Sequence, residues 1–207
     1  MTSPNRRAWN PDDKRYQRAA EKKLQIMQAA QRVFIRSGYE RASMDSIATE
    51  AGVSKMTVYR QFDDKQTLFI ACMNDQCRDM LTPEKYPVAD TLDEAEKILV
   101  KYGHVIVDLI TRNDIVMLYR MLIGETNHFS DLGEIFYRGG PSQAITVVER
   151  ILANLFGRRE ARLRAQAFFW ASLGDTYERV VLGVIKANDA REEFSEQINL
   201  AASIALR

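Results

Sequence analysis

The sequence predicts an all-α protein, and two observations carry that prediction. Apolar residues recur at steps of three and four along most of the 207 residues, and no segment alternates apolar and polar residues over the length of a strand. Gly and Pro number only 10 and 5, which is few for a β architecture with many turns. With 46% hydrophobic and 28% charged residues, the composition is that of an ordinary globular protein.

The N-terminal segment divides into a polar stretch and a first helix. Residues 1–19 are polar and contain Pro4 and Pro11, so we predict that they form a flexible arm. Apolar residues then follow at helical spacing from Ala20, and Gly38 stands where a helix would end. The sequence therefore predicts a helix from Ala20 to the neighbourhood of Gly38.

Two short amphipathic helices are predicted next, over residues 44–51 and 55–62. Ser43 and Ser54 precede them and are suited to cap their N-termini, because a serine hydroxyl accepts a hydrogen bond from the first free backbone N–H groups. Gly52 separates the two helices. Three helices are thus predicted within about 45 residues, which is the scale of a small helical motif.

Asp63 is predicted to cap a fourth helix, which must end near Pro83 because proline cannot continue a helix. We place a domain boundary there, giving an N-terminal domain over 20–82 and a C-terminal domain over 83–207. Six further helices are predicted in the second domain, over residues 91–110, 114–126, 130–138, 141–156, 161–185 and 192–206.

The net charge of +1 hides an asymmetry between the two ends of the chain. The first 70 residues hold 13 Lys and Arg against 8 Asp and Glu, whereas the remaining residues hold 16 against 20. A basic N-terminal part favours a nucleic-acid partner there. No secretory signal and no apolar run of membrane-spanning length occurs, so we expect a cytoplasmic protein with no membrane contact. The spacing of the two cysteines and two histidines predicts no local disulfide and no zinc site, and we expect no metal and no cofactor.

Residues 44–62 have the spacing of a helix-turn-helix. This motif needs a small residue in its first helix, a glycine that takes positive φ in the turn, and an apolar residue facing back from the second helix. Ala48, Gly52 and Val58 supply these at spacings of four and six. The second helix would enter the major groove of DNA and present its exposed residues to the bases.

The same stretch resembles the N-terminal domain of the tetracycline-repressor (TetR) family. The family pattern I-A-x-x-A-G-V-S-x-x-T-x-Y-x-x-F-x-x-K-x-x-L is complete here from Ile47 to Leu68. The resemblance implies phosphate contacts by Ser43, Tyr59 and Lys65, and base contacts by Lys55, Met56, Thr57 and Arg60, with Ser54 also at the DNA surface. The alternative for Lys55 and Arg60 is that they are ordinary solvated charges.

The resemblance also implies a homodimer that binds a palindromic operator and a C-terminal domain that binds a small effector. Residues 118–125 with 139–141 are similar to an AefR-like subgroup. The C-terminal helices are apolar over most of their circumference, which predicts a dimer interface formed by Phe168, Phe169, Trp170, Leu173, Val180, Val181, Phe194 and Ile198. The alternative is that these residues form internal core.

An effector pocket is predicted between helices four to eight, for a largely apolar or aromatic ligand. Its candidate lining residues are flexible or aromatic, and each is alternatively plain core: Met73, Tyr102, His104, Met117, Tyr119, Met121, Phe129, Phe136, Tyr137 and Tyr177. Arg120 or His104 is a candidate anchor for a polar end of the ligand.

These features favour a ligand-responsive DNA-binding regulator, most often a repressor in this family. A second hypothesis is a nucleoid-associated or protein-partnered DNA-binding protein that has no effector, for which a filled C-terminal core would be expected. An enzyme has little support, because no phosphate-binding glycine loop, nucleophile elbow or zinc-protease motif occurs in the sequence.

Overall fold

A computed structural model describes residues 14–77, 85–125 and 130–207. Within these ranges the chain forms ten α-helices, a short 3-10 helix over Ala187–Ala190 and no strand, which confirms the all-α prediction. The helices are α1 (Lys14–Arg41), α2 (Met44–Ala51), α3 (Lys55–Gln61), α4 (Lys65–Cys77), α5 (Leu92–Ile110), α6 (Asn113–Glu125), α7 (Ser130–Gly139), α8 (Pro141–Ile151), α9 (Arg158–Leu182) and α10 (Arg191–Leu206).

Helix α1 differs from its prediction at both ends. It begins at Lys14, so residues 14–19, which we predicted to belong to the flexible arm, are helical. Residues 1–13 of that arm and the predicted boundary near Pro83 lie outside the described residues. At Gly38 the backbone leaves the helical region, with φ 79° and ψ 164°, and a further turn follows to Arg41. The predicted stop is therefore a sharp kink inside a longer element.

The first four helices pack around one apolar core. The rings of Phe34, Tyr39 and Phe69 form its centre, with centroids 5.4 to 5.6 Å apart. Leu118 and Leu122 of α6 are buried in the same core. The N-terminal helices are therefore attached to the rest of the molecule through shared apolar packing with α6.

A second core lies between α5, α8, α9 and α10. Helices α9 and α10 run antiparallel, because the Arg164 guanidinium donates to the Ala205 carbonyl at one end (2.8 Å) while Arg179 pairs with Glu193 at the other. Tyr102 is fully buried here, and its ring lies 4.5 Å from that of Tyr86. Among the described helices, none combines the length and the apolar character needed to cross a membrane.

Candidate DNA-binding surface and ligand cavity

The ends of α2 and α3 are held by the capping groups that the sequence predicted. Ser43 Oγ accepts a hydrogen bond from the Ser46 N–H (3.1 Å), and the Ser43 N–H donates to Ser46 Oγ (3.0 Å). Ser54 Oγ accepts from the Thr57 N–H at 3.2 Å. Gly52 has φ 63°, the positive φ predicted for the turn. These local contacts fix the orientation of α3 relative to α2.

Helix α3 is anchored on one side and exposed on the other. Val58 is fully buried against α2, as the motif predicted. On the opposite side Met56 is 76% exposed and Tyr59 is 41% exposed. Arg60 is also exposed, whereas Thr57 is partly buried. Met56 and Arg60 lie four residues apart on this face, so an apolar group and a hydrogen-bond donor of the kinds that contact base edges are presented together.

The charges near α3 keep Lys55 protonated and positioned. Its Nζ lies 2.7 Å from Asp45 Oδ1 on α2 and 5.8 Å from the centre of the Tyr59 ring. The hydrogen bond and the charge of Asp45 raise the pKa of Lys55. Because the pair is exposed, it can open in exchange for a DNA contact at little cost.

Lys65 has a structural role that differs from the predicted phosphate contact. Its Nζ donates to the backbone carbonyls of Tyr39, Glu40 and Ala42 at 2.7, 3.1 and 3.0 Å. It also lies 4.4 Å from the centre of the Tyr39 ring. The ammonium thus closes the end of α1 behind the kink. In this structure the three carbonyls occupy the ammonium that the resemblance assigns to a phosphate.

The N-terminus of α4 also differs from its prediction. Asp64, not Asp63, caps the helix, since its Oδ1 accepts from the Thr67 N–H at 2.6 Å. This bond lowers the pKa of Asp64.

An apolar cavity of about 290 Å³ lies beside α6 in the C-terminal region. Its described lining residues come from α4, α5, α6, α7, α8 and α9: Met73, Leu109, Ile110, Ile115, Tyr119, Leu122, Ile123, Gly133, Phe136, Tyr137, Gly140, Pro141, Phe169, Trp170, Leu173 and Tyr177. Five of the residues predicted to line an effector pocket lie at this cavity: Met73, Tyr119, Phe136, Tyr137 and Tyr177. The aliphatic wall was missed, because such residues give no sequence signal that separates a cavity wall from core.

Five other predicted lining residues lie elsewhere. Tyr102 belongs to the second core, where its hydroxyl donates to the Ala144 carbonyl at 3.4 Å. His104 is exposed and borders a polar groove beside Arg191. Met121 packs against the core of the N-terminal helices.

Arg120 points away from the cavity and caps the end of α9. Its Nε and Nη2 donate to the carbonyls of Val181 (2.6 Å) and Val180 (3.1 Å). The Met117 sulfur lies 3.9 Å from the same guanidinium. Arg120 therefore joins α6 to α9, and neither Arg120 nor Met117 lines the cavity. Phe129 lies outside the described residues.

The predicted dimer interface is largely internal to one chain. Seven of its eight residues are buried, which agrees with the alternative of internal core: Phe168, Phe169, Leu173, Val180, Val181, Phe194 and Ile198. Only Trp170 among the eight is substantially exposed, at 53%. The prediction was wrong because one side of α9 packs against α10 and another side lines the cavity. Most of the apolar residues of α9 are therefore buried by contacts within the chain.

Aromatic side chains form one wall of the cavity. The Tyr119 ring lies 5.4 Å from Phe136 and 6.0 Å from Tyr177, and Phe169 meets Trp170 edge to face at 5.0 Å. Burial, and secondarily the neighbouring Tyr119, raises the pKa of Tyr177. The Tyr177 phenol is therefore neutral near pH 7.

A capped helix-turn-helix joined to a helical region that encloses a cavity defines the class of helix-turn-helix transcriptional regulators. Within that class, the chain belongs to the TetR family. Residues 26–72 match the model of bacterial regulatory proteins of the tetR family, and residues 97–206 match the AefR-like transcriptional repressor C-terminal domain. Regulators of this family bind DNA and act as dimers.

Individual relatives support the family at the level of the fold. The HTH-type transcriptional activator FasR of Mycolicibacterium smegmatis is 32% identical over 78 residues, which cover 38% of this chain and 36% of FasR. A TetR-family structure from Mesorhizobium loti superposes with a TM-score of 0.72 at 24% identity, covering 91% of this chain and 96% of that one. The Flavonoid-responsive Regulator FrrA superposes with a TM-score of 0.68 at 23% identity, covering 90% and 96%.

Proposed function

We propose that this protein is a homodimeric repressor that binds a palindromic operator and is released from it by a small apolar or aromatic effector. One observation carries the proposal: α6 lines a ligand-sized cavity and also packs on α1, in the core of the helices that carry the exposed, capped α3. The cavity favours this function over a DNA-binding protein without an effector, for which a filled core would be expected.

The DNA contacts in this proposal come from α3 and the caps of α2 and α3. Helix α3 lies in the major groove, where Lys55 and Arg60 donate to guanine and Met56 and Thr57 contact thymine methyl groups. The Tyr59 hydroxyl and the backbone near Ser43 and Ser54 contact phosphates. All of these residues except Thr57 are exposed, so no rearrangement of the core is needed for them to meet DNA.

The dimer surface in this proposal is the outer face of α9 and α10. Leu163 and Trp170 are exposed and lie seven residues apart on α9, and Leu200 and Ile204 are exposed and lie four apart on α10. Each pair therefore shares one helix face. Because Arg164 contacts the Ala205 carbonyl, the start of α9 and the end of α10 are adjacent, and we place the two faces side by side. An exposed apolar surface across two helices suits pairing with a second copy into a four-helix bundle.

Helix α6 provides the physical connection for release. Tyr119 on α6 lines the cavity, whereas Asp114 and Glu125 at its ends contact α1. Asp114 Oδ2 accepts from Gln31 Nε2 at 3.1 Å, and Glu125 Oε1 accepts from the Glu40 N–H at 3.4 Å. An effector that binds better to a shifted α6 would therefore favour dimers whose two α3 helices no longer match half-sites about 34–36 Å apart.

The relatives support different parts of this proposal. The AefR-like model describes repressors, whereas FasR is described as an activator, so the sign of regulation is argued from the C-terminal match. FrrA is described as flavonoid-responsive, which is compatible with an aromatic effector for this aromatic cavity.

The DNA-binding part is tested by selecting bound fragments from a genomic library and measuring their affinity by fluorescence anisotropy. We expect Arg60→Ala to weaken binding of the selected site about tenfold or more and to relax its base preference, because a bidentate guanine contact discriminates by about 1–3 kcal/mol. The matched control is Arg158→Ala, an exposed arginine on α9, which should leave affinity unchanged. Equal affinity for wild type and Arg60→Ala would contradict the assigned face.

The dimer surface is tested by light scattering at micromolar concentration. Leu163→Glu combined with Leu200→Glu should yield monomers, because four charges would be buried where the faces of two copies meet. Leu92→Glu is the control, since Leu92 is equally exposed apolar surface at the start of α5. A dimer that persists in the double variant would place the interface elsewhere.

A further inference from the structure

We infer that the cavity binds an uncharged aromatic molecule carrying one hydrogen-bonding group, and that Tyr177 selects this group through its hydroxyl. The inference rests on the proposed function and names the chemical class of its effector. Three independent features of the cavity carry it: the charge of its walls, their shape and the state of two hydroxyl groups.

The walls provide no partner for an ionised ligand. None of the described lining residues is Lys, Arg, His, Asp or Glu. Arg120, the charged side chain of α6 that we expected to anchor a polar end, is held by the carbonyls of Val180 and Val181. A carboxylate would therefore lose its hydration on entering the cavity and gain no counter-charge there, which is strongly unfavourable.

The shape of the walls favours flat rings. Tyr119, Phe136 and Tyr177 lie in succession with ring centroids 5.4 and 6.0 Å apart, and Phe169 and Trp170 form a second aromatic pair. Aromatic pairs gain from offset-stacked and edge-to-face contacts in addition to area burial. A volume of about 290 Å³ is at the lower end for ligand sites, so two linked or fused rings would fill much of the space.

Two tyrosine hydroxyls on this wall have no hydrogen-bond partner among the described residues. Neither Tyr177 nor Tyr119 forms a hydrogen bond to the other or to another described group. Tyr102, by contrast, is buried in ordinary core and its hydroxyl is bonded. The Tyr177 hydroxyl is not among the fully buried polar atoms that lack a partner, so it is accessible on the cavity wall and available to a ligand.

Isothermal titration calorimetry on the full-length dimer with three matched probes tests the charge and the hydrogen bond separately. The probes are 4-phenylphenol, biphenyl-4-carboxylate and 4-methylbiphenyl, which share two rings and differ only in one substituent. We expect 4-phenylphenol to bind, and the carboxylate to bind at least tenfold more weakly. A carboxylate that binds as tightly as the phenol would overturn the inference.

Tyr177→Phe removes the hydroxyl and keeps the ring. We expect it to weaken 4-phenylphenol about tenfold, as expected for one buried hydrogen bond, and to leave 4-methylbiphenyl unchanged. Tyr102→Phe, which removes a buried hydroxyl outside the cavity, should leave both affinities unchanged. Equal loss of both probes in Tyr177→Phe would indicate a change in packing and would overturn the role of the hydroxyl.

The same probes separate this inference from the proposed function. If 4-phenylphenol binds with the expected dependence on Tyr177 but leaves DNA affinity unchanged, the ligand class stands and release by an effector fails. If none of the three probes binds while the selected DNA site does, the ligand class is overturned and the DNA-binding role stands.

Discussion

The α2–α3 surface and the cavity differ in what fixes their side chains. Around α3, polar groups are held by directional bonds within a few residues, as in the Ser43–Ser46 and Ser54–Thr57 caps. The cavity wall is assembled from six helices and held mainly by apolar packing, which has no preferred direction. The α2–α3 surface is thus fixed locally, whereas the shape of the cavity wall depends on how six helices pack together, which under the proposed function lets the wall adjust to a ligand.

The largest contrast in stability should come from neighbours on α9. Phe168 is fully buried in the second core, whereas Trp170 is half exposed at the rim of the cavity. Phe168→Ala should lower the free energy of unfolding by about 3–5 kcal/mol, through lost burial and the cavity left behind. Chemical denaturation at fixed protein concentration measures this change.

Trp170→Ala is the comparison for that experiment, and both variants are measured at the same nanomolar protein concentration, so that dimer formation contributes equally to both. Its smaller buried area should make the loss of stability clearly smaller than that of Phe168→Ala. Similar losses for the two variants would show that Trp170 is as much a core residue as Phe168.

Local contacts were predictable from the sequence, and contacts between distant segments were not. The roles of Ser43, Ser54 and Gly52 depend on neighbours within four residues, so the sequence pattern contains the whole interaction. Lys65 bonds to carbonyls 23 to 26 residues away, and no spacing rule links these positions. The family resemblance therefore suggested that Lys65 contacts a phosphate, whereas in the structure Lys65 contacts backbone carbonyls of its own chain.

The lining of the cavity also depends on contacts between distant segments, which the sequence pattern does not predict. Tyr102 and Tyr119 are both tyrosines on amphipathic helices, yet the first is core and the second lines the cavity. Which one faces an empty space depends on how α5, α6 and α9 are placed relative to one another. That placement is a property of the assembled fold, which a single helix pattern does not specify.

An intermediate effect is expected for Lys65→Met, which keeps the aliphatic stem and removes the ammonium. Three carbonyls at the end of α1 lose their donor, so the free energy of unfolding should fall by about 1–2 kcal/mol after allowance for partial exposure. Burial lowers the pKa of Lys65, while the charges of Glu125 and Glu40 act in the opposite direction. Thermal and chemical unfolding measure the change.

Lys55→Met is the matched variant on the DNA-facing helix. Because Lys55 is exposed, its replacement should leave stability nearly unchanged and weaken DNA binding. The opposite result, with Lys65→Met stable but weak in DNA binding, would restore the predicted phosphate contact.

Smaller changes in the free energy of unfolding, of opposite sign, are expected when two glycines are replaced by alanine. Gly52 has φ 63° in the turn, and Gly124 is helical in α6; an added Cβ would meet no atom within 4 Å at either position. Gly52→Ala should therefore destabilise by about 1 kcal/mol through backbone strain alone. Gly124→Ala should stabilise by about 0.5–1 kcal/mol, because alanine is the better helix former. Equal effects at both positions would contradict the backbone geometry of the turn.

The smallest effect concerns the ion pairs that join α1 to α2. Glu50 lies 2.8 Å from Arg32 and 3.1 Å from Arg36, and these hydrogen bonds lower its pKa. A carboxylate with a lowered pKa in the folded state stabilises the protein above its unfolded value, about 4.3, and this contribution is lost as the pH falls further.

Glu50→Gln should therefore reduce stability slightly at pH 7 and make the decline toward pH 3 shallower. Glu196→Gln on α10 provides the control, because Glu196 is exposed and forms no ion pair with a described residue. Denaturation midpoints at both pH values, at low and at high salt, measure the difference. Since both arginines are exposed, high salt should remove most of it; a difference that persists would indicate that hydrogen bonding, not charge, joins α1 to the DNA-facing helices.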